Sequence, residues 1–260
     1  MKKFLSAIPL SFQHLFAMFG ATVLVPALTG LDPGSALIAS GVGTLIFHLI
    51  TRGKVPTYLG SSFAFIAPLA LYVGELNSPG QAVAGLISVS VVYALVSLII
   101  ATVGFEKVRK VIPPVVVGPV VSIIGLALAT TAVTNMASVS WDAAIVSLLA
   151  AIIATIAGTK VIRLFPIIIG LLVGYVYSAV RGYVEFQSIA DAPVFALPHF
   201  VMPEFTWAVI LGMAPIALVT IIEDLGHMFV LNEITGKDVT KNPGFGRILV
   251  GNGLATLFSG

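Results

Sequence analysis

The sequence predicts an all-α polytopic membrane protein, and three observations carry that prediction. Of 260 residues, 58% are hydrophobic and only 9% charged, against about 25% charged in an ordinary soluble domain. The apolar residues gather into runs close to the roughly 20 that a helix needs to cross a bilayer. The basic residues between those runs sort onto alternate loops, as cytoplasmic loops of membrane proteins do. A net charge of +2 spread over scattered basic residues excludes nucleic acid as a partner. With no cysteine in the chain, disulfides and thiolate metal sites are excluded as well.

The first apolar run, 7–28, follows Lys2 and Lys3 and begins like a signal peptide. Its apolar part continues to Leu28, beyond the ~7–15 residues of a cleavable core, so it reads as a retained span. Gln13 and His14 sit within it. The second span, 34–51, carries His48 near its cytoplasmic end, where a structural role suffices. The third, 55–73, reads "VPTYLGSSFAFIAPLALYV" and contains Pro56, Gly60, Ser61, Ser62 and Pro68. Proline removes an amide donor and glycine disfavours helix. Non-helical backbone at membrane depth is tolerated only inside protein or along a wet cavity. Residues 57–64 are therefore expected to be extended, with a short helix after Ala64, a device that turns backbone groups towards a substrate. A proline-kinked structural helix is the plainer alternative.

Spans 80–103, 113–133, 142–158 and 162–180 follow. The loop from Arg181 to Glu204 is outside and holds Glu185, Asp191 and His199, for which solvation is reason enough. The eighth span is 205–231. A ninth run starts near Arg247 and stops at Gly260, too short to cross. That makes about eight spans and the start of another. With the N-terminus cytoplasmic, every one of the 13 basic residues except Arg181 falls on the cytoplasmic side.

Within the eighth span, "VTIIEDLGHMFVL" places Glu223, Asp224 and His227 among apolar residues. Each carboxylate at mid-membrane costs roughly 2.5–3.5 kcal/mol, so intramembrane acids face a bundle interior or a cavity. On a helix Thr220, Glu223 and His227 share a side, and Asp224 is turned by about 100° from Glu223. A self-satisfied Glu223–His227 pair leaves two carboxyl groups against one imidazole. Asp224 is free to bind a neighbouring helix instead. A zinc site would want a second nearby histidine, which the segment lacks. "HLFAM" at 14–18 loosely echoes "HMFVL" at 227–231, seven spans away, as an inverted repeat would arrange.

Three longer stretches carry a family resemblance: "IPLSFQHLFAMFGATVLVPAL" at 8–28, "GVGTLIFHLITRGKVPTYLGSSFAFIAP" at 41–68 and "EDLGHMFVLNEITGKDVTKNPGF" at 223–245. They closely resemble the nucleobase–cation symporter-2 family, and within it the bacterial uracil permeases. The resemblance implies a fold of two inverted seven-span repeats, 7+7, with a broken third span. It implies core-domain spans 1–4 in residues 1–104, gate-domain spans 5–7 in 105–182, an outer loop at 183–204, and the core again from 205 to 260.

By the same resemblance Glu223, Phe63 (through its backbone amide) and Ala21 bind substrate, and Glu223 and His227 couple the proton. The extended segment adds Ser62 and Gly60 to the expected substrate site, and the polar residues His14, Thr220 and Asp224 are expected in support. A carboxylate suits the ring N–H groups of a pyrimidine and an amide suits its carbonyl. Burial disfavours an ionised carboxylate, so Glu223 can carry a proton. The implied function is proton-coupled import of a nucleobase, uracil, across the bacterial cytoplasmic (inner) membrane. The implied partners are the base, membrane lipid and a second copy in a homodimer. No cofactor is implied beyond the coupling proton.

A xanthine/urate-type permease is the alternative. A sulfate-type transporter would want a basic residue mid-span, and none falls there. An intramembrane hydrolase would want a nucleophile motif that the chain lacks, so it is not read as an enzyme. Asp224 stands where the resemblance leads one to expect histidine. The family's further spans, including a tenth with a second glutamate, lie beyond Gly260, so the chain reads as an N-terminal fragment.

Overall fold

A computed structural model describes residues 18, 21–137, 140–159, 162–187 and 200–259. The regular elements among them are helices. The chain forms two compact units, one from 21–125 with 198–260 and the other, in its described part, from 126–187. Four helical stretches are long and apolar enough to cross a membrane: Pro33–Thr51, Pro79–Val103, Val115–Thr134 and Trp207–Glu233. Shorter apolar helices cover Phe63–Glu75, Trp141–Ala157 and Pro166–Val180.

In the first unit, helix α1 (21–29) leads through Gly30, at φ +78°, into α2 (Pro33–Thr51). Asp32 caps α2 by accepting from the Ser35 amide at 2.7 Å, with Pro33 pre-set in the first turn. Arg52 in the left-handed region ends it. From 54 to 62 the backbone has no regular structure, and a 3₁₀ turn then begins at Phe63. The short α3 (Ile66–Leu69) continues as a π-helical turn over Ala70–Glu75. The extended segment expected over 57–64 thus ends at Ser62, two residues early, because the Ser62 hydroxyl caps a 3₁₀ turn that already includes Phe63 and Ala64.

Helix α4 (Pro79–Val103) is the longest, 25 residues, or about 37 Å at 1.5 Å per residue. Helix α5 (Phe105–Val111) links it to α6 (Pro114–Thr131). The eighth predicted span is two helices, α9 (Trp207–Met213) and α10 (Ile216–Thr235), because Pro215 interrupts the run. The final α11 (Phe245–Ser259) packs against both α2 and α4. Small residues let it approach closely. A Cβ on Gly253 would lie 2.9 Å from Tyr93 Cβ, and one on Gly251 only 2.8 Å from the Phe47 ring.

The second unit is built on an antiparallel pair, α7 (Trp141–Ala157) and α8 (Pro166–Val180). The Ser147 hydroxyl donates to the Gly170 carbonyl at 2.8 Å, fixing their register. At one end Asp142 accepts from Tyr177 at 3.0 Å and Tyr183 at 3.1 Å, with Arg181 Nε 3.4 Å away. Outward side chains such as Leu148, Ile153 and Val176 are exposed, as lipid-facing residues are.

Candidate functional site

The non-helical stretch before Phe63 needs partners for its backbone, and α2 supplies them. The Leu59 amide donates to Thr44 Oγ1 at 3.0 Å. The Ser40 hydroxyl meets the Leu59 carbonyl and lies 2.7 Å from the Tyr58 hydroxyl. Ser40 and Thr44 are four apart, one turn along the same face. Their hydroxyls replace the helical bonds that Leu59 gives up. That spacing was the signal in the sequence for these two supports, which the reading of the third span alone overlooked.

Where the chain turns helical again, Ser62 is the cap, its hydroxyl accepting from the Ala64 amide at 3.3 Å. The same Ser62 hydroxyl donates to Glu223 Oε2 at 2.8 Å. Two predicted site residues, 161 positions apart in sequence, therefore meet. Glu223 is half-buried on α10, and its remaining acceptor positions are available to a ligand. Phe63 is the first residue of the new helical turn, so its amide has no intrahelical partner. Among the described residues no acceptor meets it. The opening of a non-helical segment thus carries a carboxylate acceptor and a backbone donor on adjacent elements.

Asp224 goes elsewhere. Its Oδ2 accepts from Asn252 Nδ2 at 2.7 Å and lies 2.9 Å from the Tyr93 hydroxyl. That hydroxyl also lies 3.0 Å from Thr220 Oγ1, which donates to the Ala217 carbonyl at 3.1 Å. Ala217, Thr220, Ile221, Leu225 and Met228 form the buried side of α10. Asp224 shares that side, and Glu223 lies at its edge. The side that Thr220 and Glu223 were expected to share is consequently split: Thr220 and Asp224 face α4 and α11, while Glu223 faces the non-helical segment. Tyr93 and Asn252 were missed by sequence reasoning; each is a long hydrogen-bonding side chain within a mostly apolar helix, which is the signal that could have found them.

The other candidates are not drawn in. His227 is exposed one turn beyond Glu223, and among the described residues no hydrogen bond joins them. Gly60 is exposed within the non-helical stretch, and Ala21 is half-buried on α1. His14 lies outside the described residues. No three ligating side chains converge on a metal position among the described residues.

A helical chain with several membrane-length apolar segments, an interrupted span and an intramembrane carboxylate at the interruption has the make-up of a multi-pass membrane transporter. Residues 5–260 match the model of the Permease family (Xan_ur_permease). The chain belongs to this family, which the sequence resemblance names as nucleobase–cation symporter-2. It is 43% identical to a uracil permease of Bacillus caldolyticus over 97% of its own length and 61% of the relative's. It is 41% identical to a uracil permease of Escherichia coli K12, over 98% of its length and 62% of the relative's. A putative pyrimidine permease, RutG, of the same strain is 38% identical over 95% and 59% respectively. The chain spans about three-fifths of the length of these curated relatives.

Proposed function

We propose that the chain is part of a proton-coupled permease that imports a nucleobase, uracil, across a bacterial cytoplasmic membrane. The observation that carries this reading is the 2.8 Å bond between Ser62 and Glu223. It joins the end of the non-helical segment to the intramembrane carboxylate, which supports holding a small planar ligand between them. Glu223 would accept from a ring N–H and the free amide of Phe63 would donate to a ring carbonyl. Ser62 positions the carboxylate, Gly60 keeps the approach free of side chain, and Ala21 lines the pocket from span one. His227 would relay the proton through water, since it is one turn from Glu223 and unbonded to it. His14, Thr220 and Asp224 would support the site from behind.

In this reading the chain supplies the first repeat of a 7+7 inverted fold with its N-terminus cytoplasmic. Residues 1–104 and 205–260 belong to the core domain and 105–182 to the gate domain. The complete protein works as a homodimer. Uptake coupled to protons follows if protonation of Glu223 and binding of the base favour the same conformation.

The test is uptake of labelled uracil into proteoliposomes under an inward proton gradient. Glu223→Gln is expected to abolish gradient-driven uptake, and wild-type rates in that variant would assign the proton elsewhere. Excess xanthine is expected to compete poorly; strong competition would move the substrate to the purines.

A further inference from the structure

We propose that Val117 of α6, seated in a notch at Gly226, is an aliphatic wall of the substrate site and touches the bound base. This rests on the reading of Glu223 as the base-binding carboxylate. It brings α6 into a site otherwise built on α10 and the third span, and makes Val117 a specificity-determining residue.

The notch is marked by a glycine with no room for anything larger. A Cβ placed on Gly226 would collide with Val117 Cγ1, whereas Val117 Cβ would lie 3.8 Å from it, an ordinary van der Waals separation. One methyl group of Val117 therefore fills the space that a side chain at 226 would take. Gly226 follows Glu223 by three positions, so the two point about 60° apart on α10. β-Carbons at that spacing lie ~5–6 Å from each other. The Val117 methyl is thus delivered beside the root of the Glu223 side chain. It arrives on the flank away from Thr220 and Asp224, which are committed to α4 and α11.

The rest of α6 within the first unit agrees. Over 115–125 the half-buried residues are Val117, Val120 and Ile124, and the others are exposed. Steps of three and four put these three on one helical face. All three are aliphatic, so the covered face of α6 offers hydrocarbon and no hydrogen-bonding side chain.

The chemistry of the ligand gives that surface a use. A pyrimidine base carries its N–H and C=O groups in the ring plane, while both ring faces and the C5–C6 edge are apolar. Glu223 and the Phe63 amide answer the polar groups and leave the apolar part uncovered. Sites for small ligands pair a few placed polar groups with an apolar lining, and Val117 is the branched aliphatic side chain brought up next to Glu223. Packing through a glycine is common between membrane helices. Contact with the ring is the added role, and it can be read separately.

The experiment is equilibrium binding of labelled uracil, 5-methyluracil and 6-methyluracil to the purified complete permease, with thermal unfolding alongside. Val117→Ala should weaken uracil by about three- to fifteenfold, the effect of uncovering one to two methyl groups. The hole it leaves should admit a ring methyl, so at least one methyluracil should gain on uracil relative to wild type. Val117→Ile tests the same point in the opposite sense, and should penalise the methyluracils more than uracil. A uniform loss for all three ligands would make Val117 a packing residue only, and unaltered uracil affinity would remove it from the site; either result overturns the proposal. Gly226→Ala should push Val117 out of its seat and weaken binding too. Combining it with Val117→Ala leaves 3.8 Å between the two β-carbons, so the pair should bind as Val117→Ala does and unfold above Gly226→Ala alone. A pair no better than Gly226→Ala refutes the seating of Val117 on the glycine. Wild-type protein that binds no uracil would bring down the functional reading itself, whereas binding by wild type with unaltered variants brings down this inference alone.

Discussion

Removing one hydroxyl from α2 tests whether the interrupted span is held by side chains or merely lies against them. Thr44→Val keeps the shape of the residue and deletes Oγ1, the atom that accepts the Leu59 amide at 3.0 Å. The Leu59 carbonyl keeps its contact with Ser40, so the loss falls on a single donor. A buried donor left without a partner costs about 1–3 kcal/mol. At ~2–4 °C per kcal/mol for a chain of this order of size, the midpoint of thermal unfolding should fall by about 2–12 °C. Thr44→Ser retains the hydroxyl and should recover most of the loss. The assay is thermal unfolding of the purified protein in one detergent, with binding of labelled uracil measured alongside. Affinity should fall with stability in the valine variant, because the segment that ends at Phe63 is no longer pinned. An unchanged midpoint in Thr44→Val would refute the view that α2 supplies the missing backbone bonds. Equal losses from valine and serine would trace the effect to packing alone.

Two further outcomes follow from contacts elsewhere in the first unit. Gly253→Ala puts a methyl group 2.9 Å from Tyr93 Cβ, an overpacking that typically costs ~1–3 kcal/mol; the thermal midpoint should fall, and an unchanged midpoint would mean that α4 and α11 separate freely. Asp238, in the loop after α10, is held below the usual aspartate range chiefly by the Thr240 hydroxyl, at 2.5 Å, and also by the Lys241 charge. A depressed carboxyl stabilises the folded state above the unfolded value of about 3.9 and loses that contribution as pH falls through the folded value. Wild-type protein should therefore lose its small advantage over Asp238→Asn on acidification in that window; a constant difference down to pH 2 would refute the assignment.

Much of the helical layout could be read from the sequence because hydrophobic length and punctuation are local properties. Proline, glycine and two serines within twenty residues foretold an interruption, expected at 57–64 and found at 54–62, and the caps at Asp32 and Ser62 follow from residue chemistry one turn away. The break in the eighth span was visible too, in Pro215, but an unbroken apolar run masks a proline when only hydropathy is weighed. What could not be read was partnership across the chain. Glu223 meets Ser62 over 161 positions and Asp224 meets Tyr93 over 131. No periodicity on α10 says which of two adjacent carboxyls faces which neighbour.

That division of labour follows from helix geometry. Consecutive residues on a helix point about 100° apart, so Glu223 and Asp224 cannot serve one surface. Packing settles the choice: Ala217, Ile221, Leu225 and Met228 commit one side of α10 to burial, and Asp224 falls within that side. Its partners there must come from tightly apposed helices, which explains why Gly253, on the same helix as Asn252, admits Tyr93 so closely. Glu223, one position earlier, is thereby turned to the edge where the backbone of the third span is not helical. The polar cluster with Tyr93 and Asn252 thus fixes the azimuth of α10, and with it the direction in which Glu223 is offered. Glu223 can be redirected only by moving α10 together with α4 and α11, or by breaking the Asp224 cluster first.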